Sequence, residues 1–231
     1  MKDSISHDSA IKHVTGESVY VDDMLVNEQL LIGHVVYSRQ AHAKIKSFDL
    51  AKAKRVPGVR AVLCYQDISG HNQMGPVVHD ELCLAVNEVT FVGQAMFLIA
   101  ADNEEICREA EKLITIDYEP LEPILDIEAA IRQNNLLGPV RKIERGDATQ
   151  GLENSSHRIQ GTLRTGAQEH WYLETQSCLC LPGEDKEMFV YSSTQHPSET
   201  QAIIAEILGL PKNEVVVEVR RMGGAFGGKE T

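Results

Sequence analysis

The chain has 231 residues, of which 42% are hydrophobic, and its formal net charge at pH 7 is −12. This length is enough for one large domain or two small ones with a hydrophobic core. The acidic charge argues against a nucleic-acid partner, because such partners require basic surfaces that neutralise phosphates. No apolar run reaches the length of a membrane span, and five cysteines without metal-site spacing predict a reducing compartment, the cytoplasm by default.

Charge is spread unevenly along the chain. From Arg39 to Arg60 there are seven basic residues and one acid, whereas Asp102 to Glu128 contains ten acids and two basic residues. The pattern indicates two solvated faces. The alternative is that a partner subunit docks on the basic stripe.

The first half of the sequence alternates predicted strands and helices. Asp49 is expected to cap a short helix that runs to Arg55, and Asn103 to cap a longer one with acids in its first turn. The predicted strands are apolar runs or apolar–polar alternations at residues 30–38, 59–65, 95–100 and 114–118.

Prolines at positions 120 and 123 mark a boundary, after which a helix at 126–133 and a polar connector at 141–156 are predicted. Ser198 and Gln201 form a capping-box pattern, which predicts a helix that ends near Gly209 and buries Ile203, Ile204, Ile207 and Leu208. The predicted strands of this half are residues 159–164, 171–181, 188–192 and 215–219.

The sequence ends with a glycine-rich turn in which Gly223, Gly224, Gly227 and Gly228 surround Phe226. Glycine has no Cβ, so such a turn can bring backbone N–H groups close to a ligand. Residues 223–229 also fit the G-x-x-x-x-G-K frame of a phosphate loop. That interpretation is disfavoured because a glutamate follows the lysine where Ser or Thr should ligate Mg²⁺. A plain glycine-rich hairpin would explain the glycines but not the aromatic residue.

The segment RMGGAFGGKE at 221–230 closely resembles the molybdopterin-binding loop of the xanthine dehydrogenase and aldehyde oxidase family. Seven further segments resemble the same family in the same order: 11–17, 41–45, 56–59, 91–94, 117–121, 166–175 and 193–201. The resemblance covers nearly the whole chain and implies an α+β fold. It implies an α/β-hammerhead domain at 1–125, a connector at 126–156 and the truncated start of a molybdopterin-binding domain at 157–231.

The resemblance also implies roles for individual residues. Gln168 matches a glutamine that hydrogen-bonds a ligand of the molybdenum, and Phe226 matches a residue that contacts the metal site. Gly224 and Gly227 would present N–H groups to the cofactor, and Glu230 matches a glutamate that hydrogen-bonds the substrate ring in purine-oxidising members. Without the resemblance, a strand-edge glutamine, a core phenylalanine and a surface glutamate remain the alternatives.

The reaction implied by the resemblance is oxidative hydroxylation of hypoxanthine or xanthine to urate, with oxygen derived from water. Molybdenum–molybdopterin would be the cofactor, and 2Fe-2S clusters and FAD would lie on partner subunits or domains of an oligomer. The general-base glutamate is expected downstream, so no catalytic residue is assigned here and the isolated chain is predicted to be inactive. The alternatives are an aldehyde or other N-heterocycle oxidase subunit, and a non-catalytic assembly module.

Some other polar residues are expected to be structural. Cys178 and Cys180 alternate on one predicted strand and should therefore point the same way, as thiols of the core. His13, His42 and His196 lie inside family-like segments and are expected to make structural hydrogen bonds.

Overall fold

The computed structural model describes residues 7–24 and 29–230, which separate into two compact units. The first unit runs to Leu121 and resumes at His170, and the second extends from Glu122 to Glu169. The division at 1–125, 126–156 and 157–231 stays a prediction.

The described elements are five α-helices, nine strands and four single-turn 3-10 helices. The α-helices are α1 (Ala10–Thr15), α2 (Glu104–Lys112), α3 (Ile127–Arg132), α4 (Ala148–Glu153) and α5 (Pro197–Leu208). The strands are β1 (Ile32–Tyr37), β2 (Ala43–Asp49), β3 (Val59–Leu63), β4 (Glu88–Val89), β5 (Ala95–Ala101), β6 (Thr115–Pro120), β7 (Cys178–Pro182), β8 (Met188–Ser192) and β9 (Val215–Glu218). The 3-10 helices are Val21–Asp23, Ala53–Arg55, Tyr65–Asp67 and Lys212–Glu214.

The described strands form three sheets of three strands each, all in the first unit. Their orders are β1-β5-β3, β4-β2-β6 and β7-β8-β9. Every pairing is antiparallel except that of β8 with β9, which is parallel. Antiparallel sheets combined with separate helices are an α+β arrangement, as the sequence predicted.

The main core is built around β5, the central strand of its sheet. Its side chains alternate little in burial because both faces are covered, which explains the continuous apolar run. Phe97 is 2% exposed and packs edge-on against Phe48 of β2, with ring centroids 5.0 Å apart. Helix α2 adds Cys107 and Ala110 to this core, and the Asn103 side chain caps it as predicted, accepting from the N–H of Ile106 at 3.0 Å.

A loop after β3 bonds to the C-terminal end of α5. The N–H of Gly70 donates to the carbonyl of Ile207 at 2.9 Å, and the N–H of His71 donates to that of Glu206 at 3.0 Å. A Cβ at Gly70 would lie 1.9 Å from the Glu206 carbonyl oxygen, so position 70 has no room for a side chain. These bonds satisfy helix-terminal carbonyls that have no partner within α5.

The second unit consists of α3, α4 and extended chain. Asp126 and Asp147 cap the two helices, accepting from the N–H groups of Ala129 and Gln150. No residue of this unit, which the structure describes completely, is buried. None of the described helices of the chain is long and apolar enough to cross a membrane.

Several sequence predictions are wrong in detail. The polar connector contains α4, and residues 159–164 and 171–177 pair with no described strand and are not β-structure. The cap of α5 is His196 rather than Ser198, because Pro197 occupies the first helical position. Leu208 is 37% exposed instead of buried. Asp49 ends β2, and only the 3-10 turn Ala53–Arg55 follows it.

The side chains of the basic and acidic stripes are mostly exposed, as expected for solvated faces, but the two stripes lie beside each other. Several of their side chains pair directly with one another across the first unit: Arg39 with Glu111 at 3.6 Å, Lys44 and Lys46 with Glu119, and Arg60 with Asp102 at 2.7 Å. Hydrogen bonding and attraction from Lys46 lower the pKa of the Glu119 carboxyl. The stripes thus meet when β2 pairs with β6 and when β3 lies beside β5.

Candidate functional site

The glycine-rich turn adopts a backbone conformation that L-residues rarely take. Gly224, Phe226 and Gly227 have φ angles of +105°, +53° and +96°. Phe226 has this conformation although it carries a side chain, and its ring is 74% exposed. The alternative of an ordinary core phenylalanine is therefore wrong. Positive φ costs free energy in a non-glycine residue, so the surrounding structure has to hold Phe226 in this conformation.

Two glycines of the turn are required by close packing. A Cβ at Gly223 would lie 2.4 Å from the Cβ of Glu174, and one at Gly228 would lie 2.6 Å from the Tyr172 ring. Both distances are shorter than any ordinary carbon–carbon contact. The turn therefore lies directly against residues 172–174, with no room for side chains between the two segments.

Some N–H groups of the turn donate hydrogen bonds, and others are open, which means that they have no acceptor. Gly223 donates to the Glu174 carboxylate at 2.7 Å, Gly227 to the side-chain oxygen of Gln195 at 3.1 Å, and Gly228 to the carbonyl of Ala225 at 2.8 Å. Among the described residues, the N–H groups of Gly224, Ala225 and Phe226 find no acceptor. The turn thus offers open backbone donors beside an exposed aromatic ring, which suits a ligand that carries hydrogen-bond acceptors.

Three segments that the sequence singled out meet at this turn. The carbonyl of Lys229 accepts from the N–H of Gln195 at 2.9 Å and from the Thr194 hydroxyl at 3.1 Å. The Tyr172 hydroxyl donates to the carbonyl of Gly228 at 3.3 Å. Residues within 170–175, 193–201 and 221–230, all in the first unit, therefore build one site.

Lys229 is buried and forms an ion pair that the sequence analysis did not anticipate. It is 1% exposed, and its Nζ lies 3.3 Å from Glu174 Oε2, 2.5 Å from the Ser193 hydroxyl and 4.8 Å from the centre of the Tyr172 ring. A lysine enclosed in this way cannot reach out to a phosphate, which rules out the phosphate-loop interpretation. The sequence offered only one signal for this pair: Glu174 and Lys229 lie near the ends of two family-like segments, 55 positions apart.

The Glu174 carboxylate remains ionised because its donors outweigh its burial. Burial raises the pKa of Glu174, but the N–H of Gly223, the Ser193 hydroxyl and Lys229 lower it further, so it lies below its usual value. All three donors bond Oε2. Oε1 is buried and has no partner among the described residues.

The remaining predicted site residues are exposed. Gln168 belongs to the second unit, where its side-chain amide donates to the carbonyl of Glu169 at 3.4 Å. Glu230 follows the anchored Lys229 and is exposed. No group of three or more His, Cys, Asp or Glu side chains in residues 7–24 and 29–230 could hold a metal ion. The roles of both residues toward a cofactor or substrate stay predictions.

The three histidines make hydrogen bonds within the first unit. His13 bonds the Ser18 hydroxyl at 3.0 Å, and His42 bonds Glu88 at 2.7 Å. His196 accepts from the N–H of Glu199 at 3.3 Å, as the cap of α5. The expectation of structural roles is consistent with these contacts.

Cys178 and Cys180 do point the same way, but they are not core thiols. Both are exposed, and Leu179 between them is buried, because β7 is an edge strand with one covered face. A hydrogen bond from the Cys180 thiol lowers the pKa of Cys178 to about 7. The same bond raises the pKa of Cys180.

We therefore expect iodoacetamide to label Cys178 before any other cysteine, with a rate that is half-maximal near pH 7. Burial raises the pKa of Cys64 and Cys107, which should react slowly. Cys180→Ala removes the donor and should slow labelling of Cys178 at pH 7 by about five- to tenfold. The pKa of Cys178 rises in this variant, so the fraction of thiolate falls by more than the nucleophilicity of the remaining thiolate increases. Peptide mass spectrometry measures the rates, and Cys83→Ala is the control. Equal rates in the parent and Cys180→Ala would contradict the interaction.

Two family models match the chain in succession. Residues 15–122 match the aldehyde oxidase and xanthine dehydrogenase a/b hammerhead domain. Residues 128–231 match the molybdopterin cofactor-binding domain, and this range contains the glycine-rich turn and its contacts. The backbone-lined turn with open donors fits a domain of this kind.

Individual relatives agree with these matches. The chain is 45% identical over 227 residues to a xanthine dehydrogenase of Dictyostelium discoideum, covering 98% of this chain and 17% of that protein. It is 44% identical over 228 residues to an aldehyde oxidase of Homo sapiens, covering 97% and 17%. Its fold is similar to that of a quinoline 2-oxidoreductase from Pseudomonas putida 86, with a TM-score of 0.82 at 24% identity, over 98% of this chain and 31% of that chain.

The chain thus spans about 17% of the length of the curated relatives it matches. Their names divide between two activities at nearly equal identity, so similarity alone does not distinguish the substrates. Sequence, fold and the geometry of the glycine-rich turn nevertheless agree on one family. The chain belongs to the aldehyde oxidase and xanthine dehydrogenase family, with a hammerhead domain followed by molybdopterin cofactor-binding sequence.

Proposed function

We propose that the chain is part of a molybdenum hydroxylase and that its glycine-rich turn, Gly223–Gly228, binds the molybdopterin cofactor. The observation that carries the proposal is the run of N–H groups without an acceptor from Gly224 to Phe226, in a turn held at positive φ. When bound, the cofactor would supply the redox centre at which a substrate is hydroxylated with water-derived oxygen.

In this proposal the residues of the chain bind and orient rather than transfer protons. Gly224 and Phe226 would donate backbone hydrogen bonds to the cofactor, while the exposed Phe226 ring would pack beside the metal site. Gln168 would hydrogen-bond a ligand of the metal. The N–H of Gly227 already bonds Gln195, so Gly227 would contribute mainly by giving close approach without a side chain. A general base would come from another part of the enzyme.

Metal analysis of the complete enzyme that contains this sequence tests the cofactor assignment. We expect molybdenum to copurify at close to one atom per copy of the chain. Enzyme that folds and assembles without molybdenum would overturn the proposal. It would favour the alternative of a non-catalytic assembly module. The partners proposed for the complete enzyme are iron–sulfur and FAD modules in a cytoplasmic oligomer.

The proposed substrate is a purine, and Glu230 is the residue that would select it. Its exposed carboxyl follows Lys229, whose burial fixes where the chain leaves the turn. A carboxyl group placed there can hydrogen-bond the N–H and C=O edges of a heterocycle. An aldehyde or another N-heterocycle is the second candidate, favoured by the aldehyde oxidase and quinoline 2-oxidoreductase among the similar proteins.

Glu230→Val in the complete enzyme separates these substrates. We expect kcat/KM for xanthine to fall by about 100-fold, which corresponds to about 2.7 kcal/mol of lost transition-state stabilisation. Turnover of a simple aldehyde should change by less than about threefold, since it offers no ring edge to this carboxyl. Glu184→Val, at an exposed position of the β7–β8 turn, is the matched control. Equal losses for both substrates would remove Glu230 as the selecting residue.

A further inference from the structure

We propose that Glu174 and Lys229 are positioning residues whose buried ion pair holds the glycine-rich turn open before the cofactor arrives. The significance of this pair for the cofactor rests on the function proposed above. The pair itself is a property of the described residues and can be tested without any cofactor.

The pair joins the two ends of the turn. Glu174 Oε2 accepts from the N–H of Gly223, the first residue of the turn, at 2.7 Å. The same oxygen lies 3.3 Å from Nζ of Lys229, the residue that directly follows the turn. Both ends are therefore bound to one oxygen atom, so the residues between them have to bulge outward. That bulge contains the positive φ angles and the three N–H groups without an acceptor.

The surroundings of the pair allow no direct contact between Lys229 and a ligand. The ammonium group is enclosed by Glu174, the Ser193 hydroxyl and the face of the Tyr172 ring. The Lys229 carbonyl is also engaged, by Thr194 and Gln195. The lysine therefore acts through the turn and not on a reacting group.

The energetics of the pair indicate that it fixes the conformation of the turn and adds little to the overall stability of the unit. The side chain of Lys229 is 0% exposed and that of Glu174 is 10% exposed, so both charges lose most of their hydration. None of the described residues donates a hydrogen bond to Glu174 Oε1, so the lost hydration of this atom is not replaced. A buried pair of this kind contributes little net stability compared with an uncharged pair of similar shape. What an uncharged pair would lack is the attraction that draws the two ends of the turn together.

The double variant Glu174→Gln/Lys229→Met tests this inference, because it keeps the side-chain volumes and an acceptor oxygen while removing both charges. Amide hydrogen exchange of the chain without cofactor is measured by NMR. We expect the Gly223 and Gly227 amides to exchange at least 30-fold faster than in the parent. Amides of β5, in the main core, should change by less than threefold.

The matched control is Lys46→Met/Glu119→Gln, which removes an exposed ion pair and should leave all these rates unchanged. Parent-like exchange at Gly223 and Gly227 in the buried-pair variant would overturn the inference. Equal acceleration in β5 would also overturn it, since the pair would then stabilise the unit as a whole. A double variant that fails to fold would also overturn the inference, because the pair would then be needed for the stability of the whole unit.

A second readout links the pair to the cofactor. In the complete enzyme, the buried-pair variant should retain less than half of the molybdenum of the parent, whereas the control variant retains all of it. Faster exchange with full molybdenum content would break the link between turn order and cofactor binding. A parent enzyme without molybdenum would instead overturn the proposed function, and the exchange rates would still decide the role of the pair in the turn.

Discussion

Replacing Phe97 with alanine is expected to lower the free energy of unfolding by about 3–5 kcal/mol, the usual cost of a large aromatic deletion in a core. Phe97 lies on the central strand β5 and is 2% exposed, so no neighbouring strand can move in to fill the cavity without breaking its own pairing. The deletion also removes the edge-on contact with Phe48, which joins two of the sheets. Urea denaturation followed by circular dichroism measures the loss.

Phe91→Ala is the matched control for this prediction. Phe91 is 56% exposed and lies in the loop before β5, so its deletion leaves no buried cavity. We expect a change within about 0.5 kcal/mol, as for most surface substitutions. A similar loss in both variants would mean that β5 is not the centre of the core.

Gly223→Ala is expected to destabilise the first unit by about 1–3 kcal/mol, the range found for overpacked sites. The added Cβ would lie 2.4 Å from the Cβ of Glu174 and 3.0 Å from its backbone nitrogen. These atoms belong to or adjoin the backbone, so they cannot give way as the end of a flexible side chain could. The turn has to move outward, and the hydrogen bond from Gly223 to Glu174 should be lost with it. Thermal unfolding and the exchange rate of the Gly223 amide report the two effects.

Gly33→Ala supplies the comparison. Gly33 lies on β1, its φ is not positive, and a Cβ there would meet nothing within 4 Å. Alanine at such a position reduces the entropy of the unfolded chain, so stability should be unchanged or increase by up to about 1 kcal/mol. If Gly223→Ala behaved like Gly33→Ala, the close approach between the turn and residues 172–174 would be disproved.

Sequence patterns correctly predicted the helices and strands that are determined by their own residues. Strand β5 was recognisable from its continuous apolar run, and α2 from Asn103, because each signal lies within the element itself. Strand β2 was missed because it carries the polar residues Lys44, Lys46 and Ser47, and because the partner that completes it, β6, lies far away in the sequence. Residues 159–164 have strand-like composition, but composition cannot show whether another strand is available to pair with them.

The candidate site shows the same division. The glycines and Phe226 were identified from the sequence, since a glycine-rich turn is a local signal and the family resemblance assigned it a cofactor. The pairing of Glu174 with Lys229 was not, because it depends on how two segments 55 residues apart fold against each other. The exposed thiols were misjudged for a related reason. Alternation fixes which side chains share a face of a strand, but only the assembled sheet decides which face is covered.

The bonds between the loop at Gly70 and the end of α5 join sequence from both family models, since Gly70 lies within 15–122 and α5 within 128–231. Position 70 is confined to glycine by a carbonyl of the other domain, and the Ile207 carbonyl at the end of α5 accepts from an N–H of the hammerhead. The two domains therefore should melt in one cooperative transition. Because these contacts are made by backbone atoms, position 70 should stay glycine over evolutionary time while the side chains at the end of α5 remain free to change.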